Sequence, residues 1–303
     1  MCSTPFRSAV DLSLAAGPIR LHTAGSEDAP PVLLLHGAML DTAVLTWWHV
    51  APILASTHRV LAIDLPRHGG SRPWTQPVTQ EVCERIIDEL LEHVRIQRIA
   101  LVGLSMGAGV SIGYALNHPH RVSKLVLSAP GGLDAKRPAQ FLTWLMLRMP
   151  FALRWTTKYL ASRPSALRTM MAKNLTAGDR TRDFEQILAL VQEEAEAKAR
   201  HKEQALDDWQ ILSYGPWAMR LNHLPQLHRL SAPSLWLRGD SDSLVGQAEM
   251  EQAVAAAPMA RLETIANAGH LLTLDQPDRF NELVTGFLLD GRSSARPDAS
   301  AAR

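Results

Sequence analysis

The sequence contains few cysteines, no clear excess of either charge and no long apolar run. Its two cysteines, Cys2 and Cys83, cannot form a disulfide framework for a chain of 303 residues, which favours a reducing compartment. Lys and Arg number 31 against 30 Asp and Glu, so the chain shows no sign of the basic face that nucleic-acid binding needs. The longest apolar stretches fall far short of the roughly 20 residues that span a bilayer. Residues 1–7 do not resemble a signal peptide. A cytoplasmic protein without a membrane span is therefore expected.

What the sequence does contain is an alternation of short apolar runs and helix-length segments. Residues 10–14 and 19–23 alternate around Ala15-Ala16-Gly17-Pro18, which predicts a β-hairpin. Apolar runs at 32–35, 60–63, 99–102 and 125–127 are typical of buried parallel strands, and similar runs return at 234–238 and 262–265. Amphipathic segments lie between them, the clearest at 79–93 with Thr79 as N-cap. This order predicts an α/β fold with a mostly parallel central sheet and helices on both faces.

Residues 131–230 interrupt this alternation with consecutive helical segments at 140–148, 152–161, 166–173, 182–201 and 202–213. We therefore expect an α/β core formed by residues 1–130 and 231–290, a helical cap formed by residues 131–230, and a disordered tail at 291–303. The cap segment is rich in large apolar residues. They form either the core of the insert itself or the roof of an apolar ligand pocket above the sheet. These residues are Trp144, Met146, Met149, Trp155, Met170, Met171, Trp209, Trp217 and Met219.

A candidate nucleophile lies in Gly103-Leu104-Ser105-Met106-Gly107, between the apolar run at 99–102 and a helical segment at 108–117. Gly-x-Ser-x-Gly in this position is typical of a sharp turn that raises a serine hydroxyl above the sheet edge. The helix that follows directs its N-terminal dipole and free N–H groups toward the same point. Gly107, Gly109 and Gly113 also resemble a dinucleotide-binding turn, but their spacing is one residue too long.

A serine nucleophile needs a base beside it and a carboxylate that orients the base. Asp240 and Asp242 follow the strand at 234–238, and His270 follows the last strand. The carboxyl ends of parallel strands lie at one edge of a sheet, so these side chains are expected near Ser105. The chain order Ser, Asp, His is the one that accompanies the Gly-x-Ser-x-Gly turn. None of the twelve histidines has a neighbour at the spacing of a catalytic zinc site, and no metal or cofactor is predicted.

Five segments carry a family resemblance that covers about residues 10–288. They are Leu35-His36-Gly37-Ala38, Asp64-Leu65-Pro66-Arg67-His68-Gly69-Gly70-Ser71, Gly103-Leu104-Ser105-Met106-Gly107, Gly239-Asp240-Ser241-Asp242 and Ala268-Gly269-His270. In this order the segments resemble the α/β-hydrolase fold family, specifically its cap-bearing branch of serine esterases and cofactor-free haloperoxidase-like enzymes.

The resemblance implies a role for each matching position. Ser105 matches the nucleophile, His270 the general base and Asp242 the acid that orients it, while the backbone N–H groups of Ala38 and Met106 match the oxyanion hole.

Two other acids are candidates for the role of Asp242, and Arg67 and His36 also lie in the matching segments. The family pattern Gly-x-x-Asp favours Asp242 over Asp240, and some relatives place the acid after the strand that precedes the cap, here at Asp134. Arg67 stands where many relatives carry glycine. His36 matches a residue that packs beneath the oxyanion loop and is interpreted as structural.

The resemblance implies hydrolysis of a carboxylic ester through an acyl-enzyme, without a cofactor, and the apolar cap favours a small-molecule ester with an apolar acyl or aromatic group. Other serine chemistry at the same site remains open, namely perhydrolysis, lactone hydrolysis, carbon–carbon bond hydrolysis or acyl transfer. A non-catalytic ligand-binding protein is a further alternative. Relatives that cleave carbon–carbon bonds usually have a Gly-rich oxyanion loop, which His36-Gly37-Ala38-Met39-Leu40 lacks.

Overall fold

An eight-stranded sheet runs through residues 4–290, the part of the chain that the computed structural model describes. Its strands are β1 (Ser8–Ser13), β2 (Pro18–Ala24), β3 (Pro31–Leu35), β4 (Arg59–Ile63), β5 (Ile99–Leu104), β6 (Val122–Ser128), β7 (Ser234–Gly239) and β8 (Ala260–Ile265). They lie in the order β1-β2-β4-β3-β5-β6-β7-β8. β2 pairs antiparallel with β1 and β4, and the other neighbouring pairs are parallel. The predicted mostly parallel sheet is confirmed.

Helices cover both faces of this sheet. Every residue of β5 and β7 is buried, and since successive side chains of a strand point to opposite faces, neither face of the central strands meets solvent. α3 packs against α4, and α2 packs against α12. The α-helices are α1 (Ala43–Thr46), α2 (Ala51–Leu54), α3 (Gln80–His93), α4 (Met106–Asn117), α5 (Gln140–Leu147), α6 (Pro150–Ala161), α7 (Pro164–Asn174), α8 (Phe184–Arg200), α9 (Asp208–Ser213), α10 (Gln247–Ala256), α11 (Leu272–Asp275) and α12 (Pro277–Leu289).

The amphipathic pattern at 79–93 forms α3 as predicted. The Thr79 side chain caps its first turn by accepting a hydrogen bond from the Val82 amide. Ile86, Ile87, Leu90 and Leu91 are fully buried on one face of the helix. Burying four such side chains contributes roughly 6–12 kcal/mol of hydrophobic free energy, an upper figure because the unfolded chain already buries some of this surface.

The strand order changes direction at β3, which has β4 on one side and β5 on the other. In open parallel sheets such a reversal leaves a crevice beyond the carboxyl ends of the two diverging strands. The loop that begins at Gly37 follows β3, and Ser105 follows β5. The fold therefore brings these two segments to the same crevice.

The segment between β6 and β7, residues 131–230, contains α5 to α9 and is called the helical insert below. One predicted boundary is wrong: the helix expected at 202–213 begins only at Asp208. Lys202 has a φ of 57°, which ends the preceding helix, and Asp207 and Gln210 form a capping box that starts α9. Apolar residues of the insert form a second cluster, separate from the main core, together with Leu40, Leu45 and Leu274 from outside the insert. The division of the chain into core and cap stays a prediction.

Buried ion pairs attach the helical insert to the loop that follows β4. Arg72 Nε donates to Glu203 Oε2 at 3.0 Å, and Arg72 Nη1 donates to Glu194 Oε2 at 3.2 Å. His68 of the same loop has its Nε2 3.3 Å from Asp207 Oδ1, which also accepts from Lys198 Nζ within the insert at 2.9 Å. Because breaking a buried pair leaves an uncompensated charge, these contacts fix the position of the insert.

The nine large apolar Trp and Met residues of the insert divide into three groups, of which one, Trp144, Met170 and Met219, is partly buried. Met171 and Trp209 are buried, as a core residue or a pocket wall would be. Four others are half or more exposed, so neither expectation from the sequence describes them: Met146, Met149, Trp155 and Trp217.

Some expectations concern residues that cannot be compared with the structure. The predicted disordered tail at 291–303 and Cys2 lie outside the described residues. Within residues 4–290, none of the helices combines the length and the apolar character that crossing a bilayer requires.

Candidate active site

Ser105 lies at a sharp turn between β5 and α4. Its φ of 53° and ψ of −111° place it in a region that residues other than glycine rarely adopt, which is typical of strain held by the surrounding structure. The turn is fixed because Ser105 N donates to Ser128 O at 2.9 Å, while Ser105 O accepts from the amides of Gly109 and Gly131 at 3.0 Å each. The structure thus holds the serine in the conformation that the sequence motif predicts.

The two glycines that flank Ser105 are required by close backbone approach. A Cβ atom at Gly103 would lie 2.5 Å from the Ala108 nitrogen, and one at Gly107 would lie 2.2 Å from the Leu35 carbonyl oxygen. Real Cβ atoms do not approach backbone atoms so closely, and backbone cannot move aside as a flexible side chain can. The motif is therefore a packing requirement as well as a chemical one.

Asp242 and His270 form a hydrogen-bonded pair. His270 Nδ1 and Asp242 Oδ2 are 3.0 Å apart, and the other carboxylate oxygen accepts from the amides of Leu244 and Val245 at 2.8 and 3.1 Å. Burial alone would raise the pKa of Asp242, but the His270 hydrogen bond and charge and the two amides outweigh it and hold the pKa below its usual value. An ionised Asp242 fixes the proton on Nδ1 and leaves the lone pair of His270 Nε2 free.

The alternative acids lie elsewhere. Asp240 is exposed and accepts from Asn267 N at 3.1 Å and from its neighbour Ser241, while Asp134 pairs with Arg137 at 2.6 Å. Within the described residues neither acid contacts His270. Of the three acids considered, the geometry brings only Asp242 to the imidazole.

Ser105 and His270 line the same cavity, which has a volume of about 710 Å³. Among residues 4–290 no hydrogen bond joins the Ser105 hydroxyl to the imidazole, and such contacts are often long in free enzymes and tighten when substrate binds. A second cavity of about 120 Å³ is also lined by both residues. The large cavity has a mainly apolar wall that includes Leu40, Leu45, Met170, Met171, Leu175, Val191 and Leu244.

In the loop after β3, the backbone amide of Ala38 is free to bind a ligand. The Gly37 amide donates to Asp41 Oδ2 at 2.8 Å, and the Met39 amide donates to Asp207 Oδ2 at 2.6 Å. Between them the Ala38 amide makes no hydrogen bond within the described part of the chain. Met106 begins α4, where the first amides of a helix have no intrahelical partner. Ala38 and Met106 therefore both offer donors beside Ser105.

His36 holds the base of this loop. It is fully buried, its Nδ1 donates to Gly37 O at 2.7 Å, and its Nε2 accepts from the Leu65 amide at 2.9 Å. Burial lowers the pKa of His36 to about 3. A neutral imidazole with both nitrogens engaged positions the backbone and has no nitrogen left for proton transfer.

Sequence reasoning missed Asp207, which reaches the loop after β3 from the helical insert, 168 residues away. Burial would raise its pKa, but the neighbouring His68 and Lys198 outweigh this and lower the pKa. Nothing in a Leu-Asp-Asp-Trp segment indicates such a contact. Arg67, the position that departs from the family pattern, has a φ of 65° and pairs with Asp208 at 2.6 Å, next to Asp207.

No metal centre is formed by the described residues, since none of their His, Cys, Asp or Glu side chains gather in groups of three or more that could hold an ion.

The family model for the alpha/beta hydrolase fold matches residues 30–277. The chain belongs to the α/β-hydrolase family. The family resemblance stated from the five sequence segments is thereby confirmed, as is the fold that it implied.

Several known proteins are similar to this α/β-hydrolase over most of its length. It is 26% identical over 271 residues to the dihydrolipoyllysine-residue acetyltransferase component of the acetoin cleaving system of Pseudomonas putida, covering 89% of this chain and 66% of that protein. It is 26% identical over 275 residues to 2-hydroxy-6-oxononadienedioate/2-hydroxy-6-oxononatrienedioate hydrolase of Cupriavidus pinatubonensis, covering 86% and 87%. The structure of naproxen esterase (carboxylesterase NP) from Bacillus subtilis superposes with a TM-score of 0.72 at 21% identity, covering 94% and 93%.

Proposed function

We propose that this protein is a serine hydrolase that cleaves a carboxylic ester through an acyl-enzyme, with Ser105 as nucleophile, His270 as general base and Asp242 as the acid that orients it. The observation that carries the proposal is the Asp242–His270 hydrogen bond of 3.0 Å, whose imidazole lines the same cavity as the strained Ser105. A serine becomes nucleophilic only when an oriented base takes its proton, and this arrangement supplies such a base.

The reaction proceeds in two halves. His270 Nε2 takes the proton of Ser105 as its Oγ attacks the carbonyl carbon, and the developing oxyanion accepts hydrogen bonds from the Ala38 and Met106 amides. His270 then gives the proton to the leaving alcohol. Water, deprotonated by the same imidazole, attacks the acyl group and releases the acid and Ser105. Asp242 stabilises the imidazolium that forms in each half.

The two cavities favour an ester with parts of unequal size. The volume of about 710 Å³ lies within the range of small-molecule sites, and the mainly apolar wall suits an apolar acyl chain or an aromatic group. The space of about 120 Å³ that Ser105 and His270 also line accommodates only a small group. We therefore assign the large part of the ester to the large cavity and the smaller part to the other.

Hydrolysis of a carbon–carbon bond is the second candidate. The Cupriavidus relative is named as a hydrolase of 2-hydroxy-6-oxononadienedioate, an oxo-dicarboxylate and not an ester, and an identity of 26% over 86% of this chain favours considering such a substrate. Two features weigh against it. The loop from His36 to Leu40 lacks the Gly-rich sequence that those relatives usually have, and the wall of the large cavity offers one cationic side chain, Lys173, for a dicarboxylate substrate.

Nitrophenyl esters of increasing acyl length test the proposal when wild type is compared with Ser105→Ala. We expect turnover by wild type and a loss of about 10³-fold or more in kcat in the variant, because the remaining oxyanion donors alone supply little rate. Ser243→Ala is the matched control, since Ser243 lines the same cavity without a proposed role, and its kcat should stay near wild type.

Labelling with a fluorophosphonate separates nucleophilic catalysis from mere binding. Mass spectrometry should find one adduct on wild type and on Ser243→Ala and none on Ser105→Ala. Turnover or labelling that survives in Ser105→Ala would contradict the assignment of the nucleophile. A wild type that is labelled but inert toward all esters, and that hydrolyses a vinylogous diketone, would favour the second candidate.

A further inference from the structure

One stretch of the helical insert carries positive charge without any negative charge. Residues 135–178 contain eight Lys and Arg residues and no Asp or Glu, although the whole chain has 31 basic and 30 acidic residues. The remaining chain is therefore net acidic. The eight cationic residues are Lys136, Arg137, Arg148, Arg154, Lys158, Arg163, Arg168 and Lys173.

Most of these charges are not neutralised by the protein itself. Arg137 pairs with Asp134, and Arg168 pairs with Asp179 and Glu185. The other six are exposed, and within residues 4–290 none of them forms an ion pair. Such a set of unpaired cations is free to attract a negatively charged partner.

The same stretch exposes a group of large apolar side chains, called the α5–α6 surface below. Seven of the fourteen exposed large apolar residues in the described part of the chain lie between positions 141 and 155. The exposed fraction reaches 83% for Phe151 and 66% for Trp155. The surface consists of Phe141, Leu142, Leu145, Met146, Met149, Phe151 and Trp155, and Trp217 stacks on Phe141 with ring centroids 5.1 Å apart.

Within each helix the spacing places the exposed apolar side chains on one face. Leu142, Leu145 and Met146 of α5 follow the i, i+3, i+4 pattern, and four-residue spacing relates Phe151 to Trp155 in α6, with Met149 in the link between the two helices. Leu147 is buried on the opposite side of α5. Rotating the helix to bury the exposed apolar side chains would therefore expose Leu147. Contiguous apolar patches of this kind mark interaction sites in proteins that are otherwise well packed.

We infer that the α5–α6 surface docks on the surface of an anionic lipid bilayer. Aromatic and aliphatic side chains beside Lys and Arg, without acidic residues, are the combination that binds in the plane of a lipid interface. The apolar side chains enter the boundary between head groups and acyl chains, and the surrounding cations face lipid phosphates. Lipid docking rests on this surface alone and holds whether or not the proposed ester hydrolysis does.

A second copy of the chain is a poorer occupant of the same surface. A two-fold dimer through it would bring Arg148, Arg154 and Lys158 of one subunit toward the same three cations of the other, with no carboxylate in the stretch to neutralise them. An anionic bilayer satisfies both the charge and the apolar side chains. Charge complementarity therefore selects lipid over self-association.

Co-sedimentation of the full chain with vesicles tests this inference. We expect binding to vesicles of equal parts phosphatidylcholine and phosphatidylglycerol that exceeds binding to phosphatidylcholine alone by at least tenfold and that weakens with added salt. Phe151→Ser/Trp155→Ser should reduce the partition coefficient at least tenfold, and Arg154→Gln/Lys158→Gln should reduce it by about fivefold for each charge removed.

Two double variants remove the same chemistry from other parts of the surface. Val10→Ser/Ile53→Ser removes two exposed apolar residues of β1 and α2, and Arg7→Gln/Arg85→Gln removes two exposed cations outside the stretch. Both should bind like wild type. All variants should keep the wild-type thermal midpoint, since each change is on the surface.

Any of three results would overturn lipid docking. The first is equal binding of wild type to neutral and anionic vesicles. The second is a wild-type partition coefficient for Phe151→Ser/Trp155→Ser. Light scattering that finds a wild-type dimer dissociated by this double variant would assign the surface to a second copy of the chain and would likewise reject the lipid.

Discussion

Replacing Asp207 by alanine removes an acceptor that joins the helical insert to the loop after β3. Asp207 Oδ1 accepts from Lys198 Nζ at 2.9 Å and lies 3.3 Å from His68 Nε2, while Oδ2 accepts from the Met39 amide at 2.6 Å. Lys198 is 1% exposed, so its ammonium group depends on partners within the protein. The substitution leaves this buried charge without its carboxylate and removes the acceptor of the Met39 amide.

The magnitude follows from these contacts. Removing one partner of a buried ion pair costs about 3–5 kcal/mol in the free energy of unfolding. An amide left unsatisfied costs about 1–3 kcal/mol, and the loss of an N-cap side chain costs about 1 kcal/mol. These contributions share groups and do not add, so we expect a loss of about 4–6 kcal/mol. Lys198→Met should cost less, because Asp207 keeps the Met39 amide and His68.

The loss should depend on pH in a defined direction. The pKa of Asp207 is lower in the folded protein than its ordinary value of 3.8. As the pH falls, the unfolded chain therefore binds a proton at Asp207 while the folded protein still holds a carboxylate. The stability that Asp207 contributes is complete above pH 3.8 and becomes smaller as the pH falls below it. The difference between wild type and Asp207→Ala should be constant near neutral pH and should shrink below about pH 4.

Urea unfolding of wild type, both single variants and Lys198→Met/Asp207→Ala measures the pair as a double-mutant cycle. We expect the double variant to lose less than the sum of the singles, by about 1–3 kcal/mol. Glu196→Ala is the matched control, since Glu196 pairs with Arg200 on the exposed face of α8, the helix that also carries Lys198. Such exposed pairs contribute about 0.3–0.5 kcal/mol to stability. Strict additivity, or an Asp207→Ala variant as stable as wild type, would refute this account of the buried pair.

Two further substitutions have matched controls in the chain. Asp242→Asn should lower kcat on a soluble ester by about 10⁴-fold with little change in the urea midpoint, because an amide no longer fixes the imidazole tautomer. Asp240→Asn, at an exposed acid, should leave kcat unchanged. Equal effects of the two substitutions on kcat would reject the assignment of Asp242. Gly107→Ala should prevent stable folding in a thermal scan, since its Cβ would lie 2.2 Å from the Leu35 carbonyl oxygen, whereas Gly286→Ala, with nothing within 4 Å, should raise the midpoint slightly.

The sheet, and the strand ends that carry the proposed catalytic side chains, could be predicted from the sequence because their signals are local. A buried parallel strand needs an unbroken apolar run, and the runs before Ser105 and Asp242 are of this kind. Once two strands are parallel neighbours, their carboxyl ends coincide, so side chains far apart in the sequence meet without any further information. The predicted neighbourhood of Asp242 and His270 follows from this rule and agrees with their 3.0 Å contact.

The helical insert could be predicted only as a series of helices. Helical periodicity shows that a stripe is apolar, but it does not tell whether another element covers that stripe. Met171 and Trp155 are both large apolar residues in helical segments of the insert, yet Met171 is 5% exposed and Trp155 is 66% exposed. The sequence also gives no sign that Lys198 and Asp207 are buried, because charged residues in helical segments usually face solvent. Only tertiary packing places these two side chains in the interior.

The proposed chemistry and the shape of the cavity come from different parts of the chain, which explains how the two can vary separately. Ser105, Asp242 and His270 follow strands of the sheet, whereas Met170 and Met171 of the insert form part of the apolar wall. The position of the insert depends on buried ion pairs with the loop after β4, and these pairs do not involve the wall. Side chains of the wall can therefore change while the ion pairs hold the insert in place and the reactive groups keep their geometry. Such an arrangement allows one fold to host different substrate pockets around the same reactive geometry.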